Sequence, residues 1–171
     1  NEEGNIDPHY WLSVEHAKQI AKNISEELSA KDSEHADIYI SNLQDFIERL
    51  EKREKSWRTA LDTVENKNII VFHDAWNYFA EYFDINIVAS FEPFPGKSPT
   101  PKVVAALQQT IKEYNVKIIF IEPQLSKTAI EAIANDFGIE IKILDPLGGV
   151  EGREYYIDFI EYNVLEIVGN S

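Results

Sequence analysis

The stretch Asn68-Ile69-Ile70-Val71-Phe72-His73-Asp74-Ala75-Trp76 decides how this chain folds. Its first five residues are a β-branched, apolar run of strand length, and polar residues then break the run where a helical pattern begins. Three further runs share this character: Ile85–Ala89, Lys117–Ile121 and Glu140–Leu144. Helical patterns lie between and after them at Ala75–Phe83, Pro101–Tyr114, Lys127–Phe137 and Glu154–Val168. Pro101 suits a first-turn position, Thr128 and Glu131 have capping-box spacing, and Gly138 suits the position just past a helix end. Short strands alternating with helices predict parallel βαβ units: an α/β fold with a four-stranded, doubly wound parallel sheet flanked by helices.

The region before Asn66 reads differently. Val14, Ala17, Ala21, Ile24 and Leu28 recur at helical spacing behind Ser13, a capping residue. A longer helix is predicted from Ser33 to Thr63, with the stripe Ala36, Ile40, Leu43, Ile47, Leu50, Trp57 and Leu61. Glu48–Lys52 and Glu51–Lys55 are expected to pair along it. Such a helix is about 45 Å long, more than a small lobe needs for its own core, and suits a strut. The chain therefore divides into a segment and helix at 1–30, a long backbone helix at 31–66 and an α/β lobe at 67–171.

Composition narrows the function. With 44% apolar and 27% charged residues among 171, a folded globular chain is expected. A formal charge of −14 argues against nucleic acid and against anionic membrane surfaces. Without cysteine there is no disulfide, thiolate–metal site or thiol nucleophile. No apolar run approaches the about 20 residues of a membrane span, and no signal peptide is present. The chain contains no methionine, and we read it as a piece of a longer protein.

Candidate ligands fall where the strands stop. His73 ends the first strand, Glu122 the third and Asp145 the fourth. In a parallel sheet these carboxyl ends share one edge, where ligands bind. Alone, a histidine there caps a helix and an Asp before Pro is a turn residue; jointly they point to a shared polar site. Imidazole and carboxylate together suit a borderline ion such as Zn²⁺. His9 lies far upstream, in Asp7-Pro8-His9-Tyr10-Trp11-Leu12, a segment that leads into a helix. His16 and His35 sit in first helical turns among charged residues and read as solvated. Pro95-Gly96-Lys97-Ser98 carries the Gly-Lys-Ser of a phosphate loop, but Phe91 stands where the first glycine is required. No Gly-x-Ser-x-Gly elbow exists, so no hydrolase serine is indicated.

Four stretches in order resemble the zinc/manganese substrate-binding proteins of bacterial ABC importers, the helical-backbone metal receptors of cluster A-I. They are Asp7 to Leu12; Ala36-Asp37 with Tyr39, Asn42-Leu43 and Phe46; Val71 to Trp76 with Tyr78-Phe79; and Ile121 to Gln124 with Leu144 to Leu147. Tyr162-Asn163 fits the family's last helix. The resemblance implies two lobes joined by a rigid helix, with this chain supplying the helix and the carboxyl-terminal lobe. It implies a metal held by His9, His73 and Asp145, with a fourth ligand from the amino-terminal lobe. Asp74 and Glu122 would orient an imidazole. A histidine at 73 favours Zn²⁺, with Mn²⁺ or Fe²⁺ also accepted. The implied role is an extracytoplasmic receptor, periplasmic or at the cell surface, that delivers its ion to an ABC permease and catalyses nothing. The surface of residues 1–30 would then be exposed, or buried in a dimer. Two other readings use the same residues: a zinc-dependent hydrolase with Glu122 as general base, and an adhesin-like module for protein interaction.

Overall fold

The computed structural model describes residues 6–92, 100–123 and 128–169. Six α-helices and four strands follow in the order α1 (Val14–Lys31), α2 (Ala36–Leu61), β1 (Asn68–His73), α3 (Asn77–Phe83), β2 (Asn86–Glu92), α4 (Pro101–Glu113), β3 (Ile118–Ile121), α5 (Thr128–Phe137), β4 (Glu140–Ile143) and α6 (Tyr156–Val168). The four strands form one sheet in the order β2-β1-β3-β4, and every pairing is parallel. Each crossover carries a helix, because parallel neighbours cannot be joined by a tight turn. Strand order reverses between β1 and β3, which makes their carboxyl ends the topological switch point.

Period-2 alternation divides the strands between two cores. Ile69 and Val71 of β1, with Ile118 and Phe120 of β3, face a layer built from α1, α2, α3 and α6. Ile70 and Phe72, with Ile119 and Ile121, face the opposite layer of Leu107, Ile111, Ile130 and Ala134. His73 continues the parity of Ile69 and Val71, so it points to the side of the long helices. Glu122 continues that of Ile118 and Phe120 to the same side.

The backbone helix is shorter than its sequence pattern suggests. A 3₁₀ turn occupies Ser33–His35, and α2 begins at Ala36 and ends at Leu61. Asp32 explains the break: its carboxylate accepts bonds from His35 Nδ1 at 2.9 Å and the Tyr39 hydroxyl at 2.7 Å, and so closes the corner between α1 and α2. Among the described residues the expected Glu48–Lys52 and Glu51–Lys55 pairs do not form. Glu51 and Glu54 are drawn instead to Lys18 of α1, at 3.7 and 3.2 Å. Lys18 is largely shielded from water, where an ion pair is screened less than on an open helix face.

The amino-terminal segment has its own place in this core: Leu12 and Val14 are buried with Trp57 and Leu61, and Ala17 is buried as well. Farther along α1 the stripe emerges, leaving Ile24 and Leu28 exposed. Ser13 caps α1 as expected, accepting from the His16 N–H. Thr100 caps α4 in the same way, with Pro101 as its first residue. α3 starts at Asn77 rather than Ala75, because the Ala75 N–H closes a tight turn on the His73 carbonyl at 2.9 Å. α6 likewise starts two residues late, at Tyr156. Gly138 follows α5 with φ of 63°. The Pro95–Ser98 run, residue 127 and the Thr128 side chain lie outside the described residues. No helix among the described residues is long and apolar enough to cross a membrane.

Candidate metal centre

His73 stands at the end of β1, the central strand nearest the switch point, and Glu122 follows the end of β3 beside it. The two side chains meet, His73 Nδ1 lying 3.2 Å from Glu122 Oε1. Glu122 is 7% exposed. A buried carboxylate needs a donor, and the imidazole provides one. With the Nδ1–H given to Glu122, the ring's lone pair sits on Nε2.

His9 arrives from the other end of the chain with a similar partner. Asp7 accepts the His9 backbone N–H at 2.9 Å, and its Oδ1 lies 2.7 Å from His9 Nδ1. The Asp-Pro-His spacing is that of an Asx turn, in which an Asp carboxylate bonds the backbone two residues on. Trp11 and Tyr156 hold the segment in place. The Trp11 Nε1–H donates to the Pro146 carbonyl at 2.8 Å, and the Tyr156 hydroxyl donates to the Trp11 carbonyl at 2.9 Å. His9 thereby stacks edge-on against His73, with ring centroids 5.2 Å apart and planes at 84°. The Trp11 ring flanks His9 at 5.5 Å.

Asp145 is the third expected residue, and its carboxylate is committed elsewhere. Oδ1 accepts the N–H groups of Leu147 and Gly148, both at 3.0 Å. Oδ2 lies 2.9 Å from Arg153 Nη1. Asn163 of α6 pins the Asp145 backbone on both sides, accepting its N–H at 2.7 Å and donating to its carbonyl at 2.8 Å. Among the described residues, no three His, Asp or Glu side chains converge closely enough to hold a metal ion. The structure thus pairs His9 with His73 and keeps Asp145 on its own loop.

Among the contacts of the described residues, Asp74 is engaged with an amide rather than an imidazole. Its Oδ1 accepts from Asn77 Nδ2 at 2.9 Å, and the same amide reaches Asp7 Oδ2 at 3.3 Å. It therefore bears on His9 through Asn77 and Asp7. His16 lies away from this cluster, against Tyr78 at 5.1 Å, and His35 is engaged with Asp32. Sequence reading passed over Asp7, Trp11 and Arg153 as site residues. Asp7 had a local signal in its Asx spacing. Arg153 had none, because its contact with Asp145 depends on how a glycine-rich loop turns back.

Each of these two imidazoles has a carboxylate at Nδ1, an arrangement that favours the tautomer with its lone pair on Nε2. The family model described as zinc-uptake complex component A, periplasmic, matches residues 1–170. The chain belongs to this family. It is 29% identical over 164 residues to the high-affinity zinc uptake system protein ZnuA of Bacillus subtilis (strain 168), covering 93% of this chain and 51% of that protein. It is 27% identical over 169 residues to the manganese-binding lipoprotein MntA of Halalkalibacterium halodurans, covering 95% of this chain and 56% of that one. A crystal structure of ZnuA superposes with a TM-score of 0.88 at 31% identity, over 100% of this chain and 65% of that structure. The chain thus spans about half the length of the curated relatives it matches.

Proposed function

We propose that this chain is the backbone helix and carboxyl-terminal lobe of an extracytoplasmic receptor that captures Zn²⁺ for an ABC permease. The observation that carries this reading is the facing pair His9 and His73, each with a carboxylate at Nδ1. Neutral imidazole nitrogen is a preferred zinc donor, and paired histidines outrank oxygen sites for Zn²⁺ over Mn²⁺. In this reading His9 and His73 bind through Nε2, Asp145 supplies an oxygen, and a lobe outside these residues closes the coordination shell. Glu122 and Asp7 orient the imidazoles, and Asp74 acts on Asp7 through Asn77. The ion is cargo: it is bound and released with no bond made or broken. Glu122 already serves His73, which leaves it poorly placed to activate a water as a hydrolase base. Mn²⁺ is a weaker alternative cargo.

The test is calorimetric titration of chelator-treated protein with Zn²⁺, with Mn²⁺ as competitor and His73→Ala as control. One-to-one binding that the variant abolishes is the expected result. Binding that survives His73→Ala would overturn the assignment.

A further inference from the structure

Asp145 is 3% exposed at its side chain, and its two oxygens have different duties. Oδ1 is taken by two loop amides. Oδ2 is the oxygen left for a metal, and it is the one beside Arg153 Nη1 at 2.9 Å. Nη1 is shielded from solvent and misaligned for a hydrogen bond, so attraction of charge holds this pair. The guanidinium is also set against the Tyr162 ring, its centre 4.3 Å from the ring centroid. Its backbone closes a tight loop: Gly149 N–H donates to the Arg153 carbonyl at 2.8 Å, and Arg153 N–H donates to Val150 at 2.9 Å. Gly148 permits this closure. It has φ of +65°, and a Cβ there would come within 2.9 Å of the Arg153 carbonyl oxygen.

We infer that Arg153 sets the affinity of the metal centre, because its guanidinium is the resident cation of Asp145 that an incoming divalent ion must displace from Oδ2. This rests on the reading of His9, His73 and Asp145 as the metal-binding set. A carboxylate this deeply buried needs a compensating positive charge. Two cations cannot both sit at bonding distance from one oxygen without strong repulsion. Loading is therefore an exchange of cations, and the affinity measured is the metal's attraction less that of Arg153. On release the arginine returns, so the empty site is never left with an unpaired buried charge. Arg153 weakens capture and eases delivery.

The experiment uses the full-length protein as wild type, Arg153→Gln, Arg153→Lys and His73→Ala. Zn²⁺ affinity is measured by competition with a fluorescent chelator, release by mixing with excess chelator, and melting with and without Zn²⁺. Arg153→Gln is expected to bind Zn²⁺ at least about tenfold tighter, because the ion no longer competes with a resident cation at Oδ2. Its metal-free form melts lower than wild type while its loaded form does not, and Arg153→Lys stays near wild type. Equal lowering of both melts with unchanged or weaker affinity would overturn the inference, since a merely structural arginine acts alike on both forms. Should Arg153→Gln fail to fold, the side-chain guanidinium NMR signals of the wild type decide: they shift on adding one equivalent of Zn²⁺, and unchanged signals overturn the inference. If His73→Ala keeps wild-type affinity, the metal-binding reading falls and takes this inference with it. Lost affinity in His73→Ala beside unchanged affinity in Arg153→Gln sinks the inference alone.

Discussion

The Trp11 indole donates to the Pro146 carbonyl at 2.8 Å across a sequence separation of 135 residues. Through that bond the segment carrying His9 is fastened to the loop carrying Asp145. Tyr156 doubles the fastening by donating to the Trp11 carbonyl. Two segments from opposite ends of the chain are therefore tied together at the mouth of the switch point.

Trp11→Phe keeps most of the apolar contact and removes the bond to Pro146. A lost neutral hydrogen bond costs about 1 kcal/mol, and His9 should also be held less firmly. Zn²⁺ affinity is expected to fall by about five- to tenfold with this loss, in calorimetry on the metal-free protein. An unchanged affinity would mean that His9 is placed without the indole.

Glu122→Gln keeps the size of the side chain and removes its charge from His73 Nδ1. Loss of such an orienting carboxylate weakens metal binding by about 10- to 100-fold. Chelator competition should show that loss while the urea midpoint hardly moves. The reverse pattern, lower stability with full affinity, would make Glu122 a packing residue.

Asn163 is fully buried and makes three bonds, two to the Asp145 backbone and one to the Phe159 carbonyl at 2.8 Å. Asn163→Ala leaves the Asp145 N–H and the Asp145 carbonyl without partners in a dry interior, while the Phe159 carbonyl keeps its helical backbone bond. At 1–3 kcal/mol per unsatisfied group, with partial relaxation, the cost is about 3 kcal/mol. Urea denaturation measures it, and a cost under about 1 kcal/mol would show that water replaces the amide.

Two tyrosines predict an alkaline limit. Burial, and then its bond to Glu54, pushes Tyr82 up to about 12. Burial pushes Tyr156 up further still. Each holds its proton more tightly folded than unfolded, where tyrosine titrates near its ordinary value of about 10. The folded state then binds more protons, so stability falls as pH rises. The contribution is whole below about pH 10 and, for Tyr82, is lost as pH passes about 12. Urea midpoints should decline from pH 10 upward, and Tyr156→Phe should flatten that decline. An equally steep decline in Tyr156→Phe would assign the alkaline loss to other groups.

Much of this architecture was legible in the chain itself. The runs that became β1, β3 and β4 read as strands because β-branched residues fill them and polar residues stop them. The positions of α2, α3 and α4 followed from period and capping, although α2 and α3 began later than expected, where Asp32 and Ala75 made local bonds. His73, Glu122 and Asp145 were placed at one sheet edge by strand polarity alone, which any parallel sheet imposes.

What the sequence determined by itself was therefore the order of the elements, the α/β class and the edge at which polar side chains gather, since these depend on residue spacing within each element. Tertiary structure alone decided which groups meet there. His9 reaches His73 because Trp11 and Tyr156 anchor its segment on α6 and the Pro146 loop. Asp145 faces Arg153 because Gly148 lets that loop close. Both outcomes turn on distances of a few ångströms between segments remote in sequence, and no local spacing encodes them.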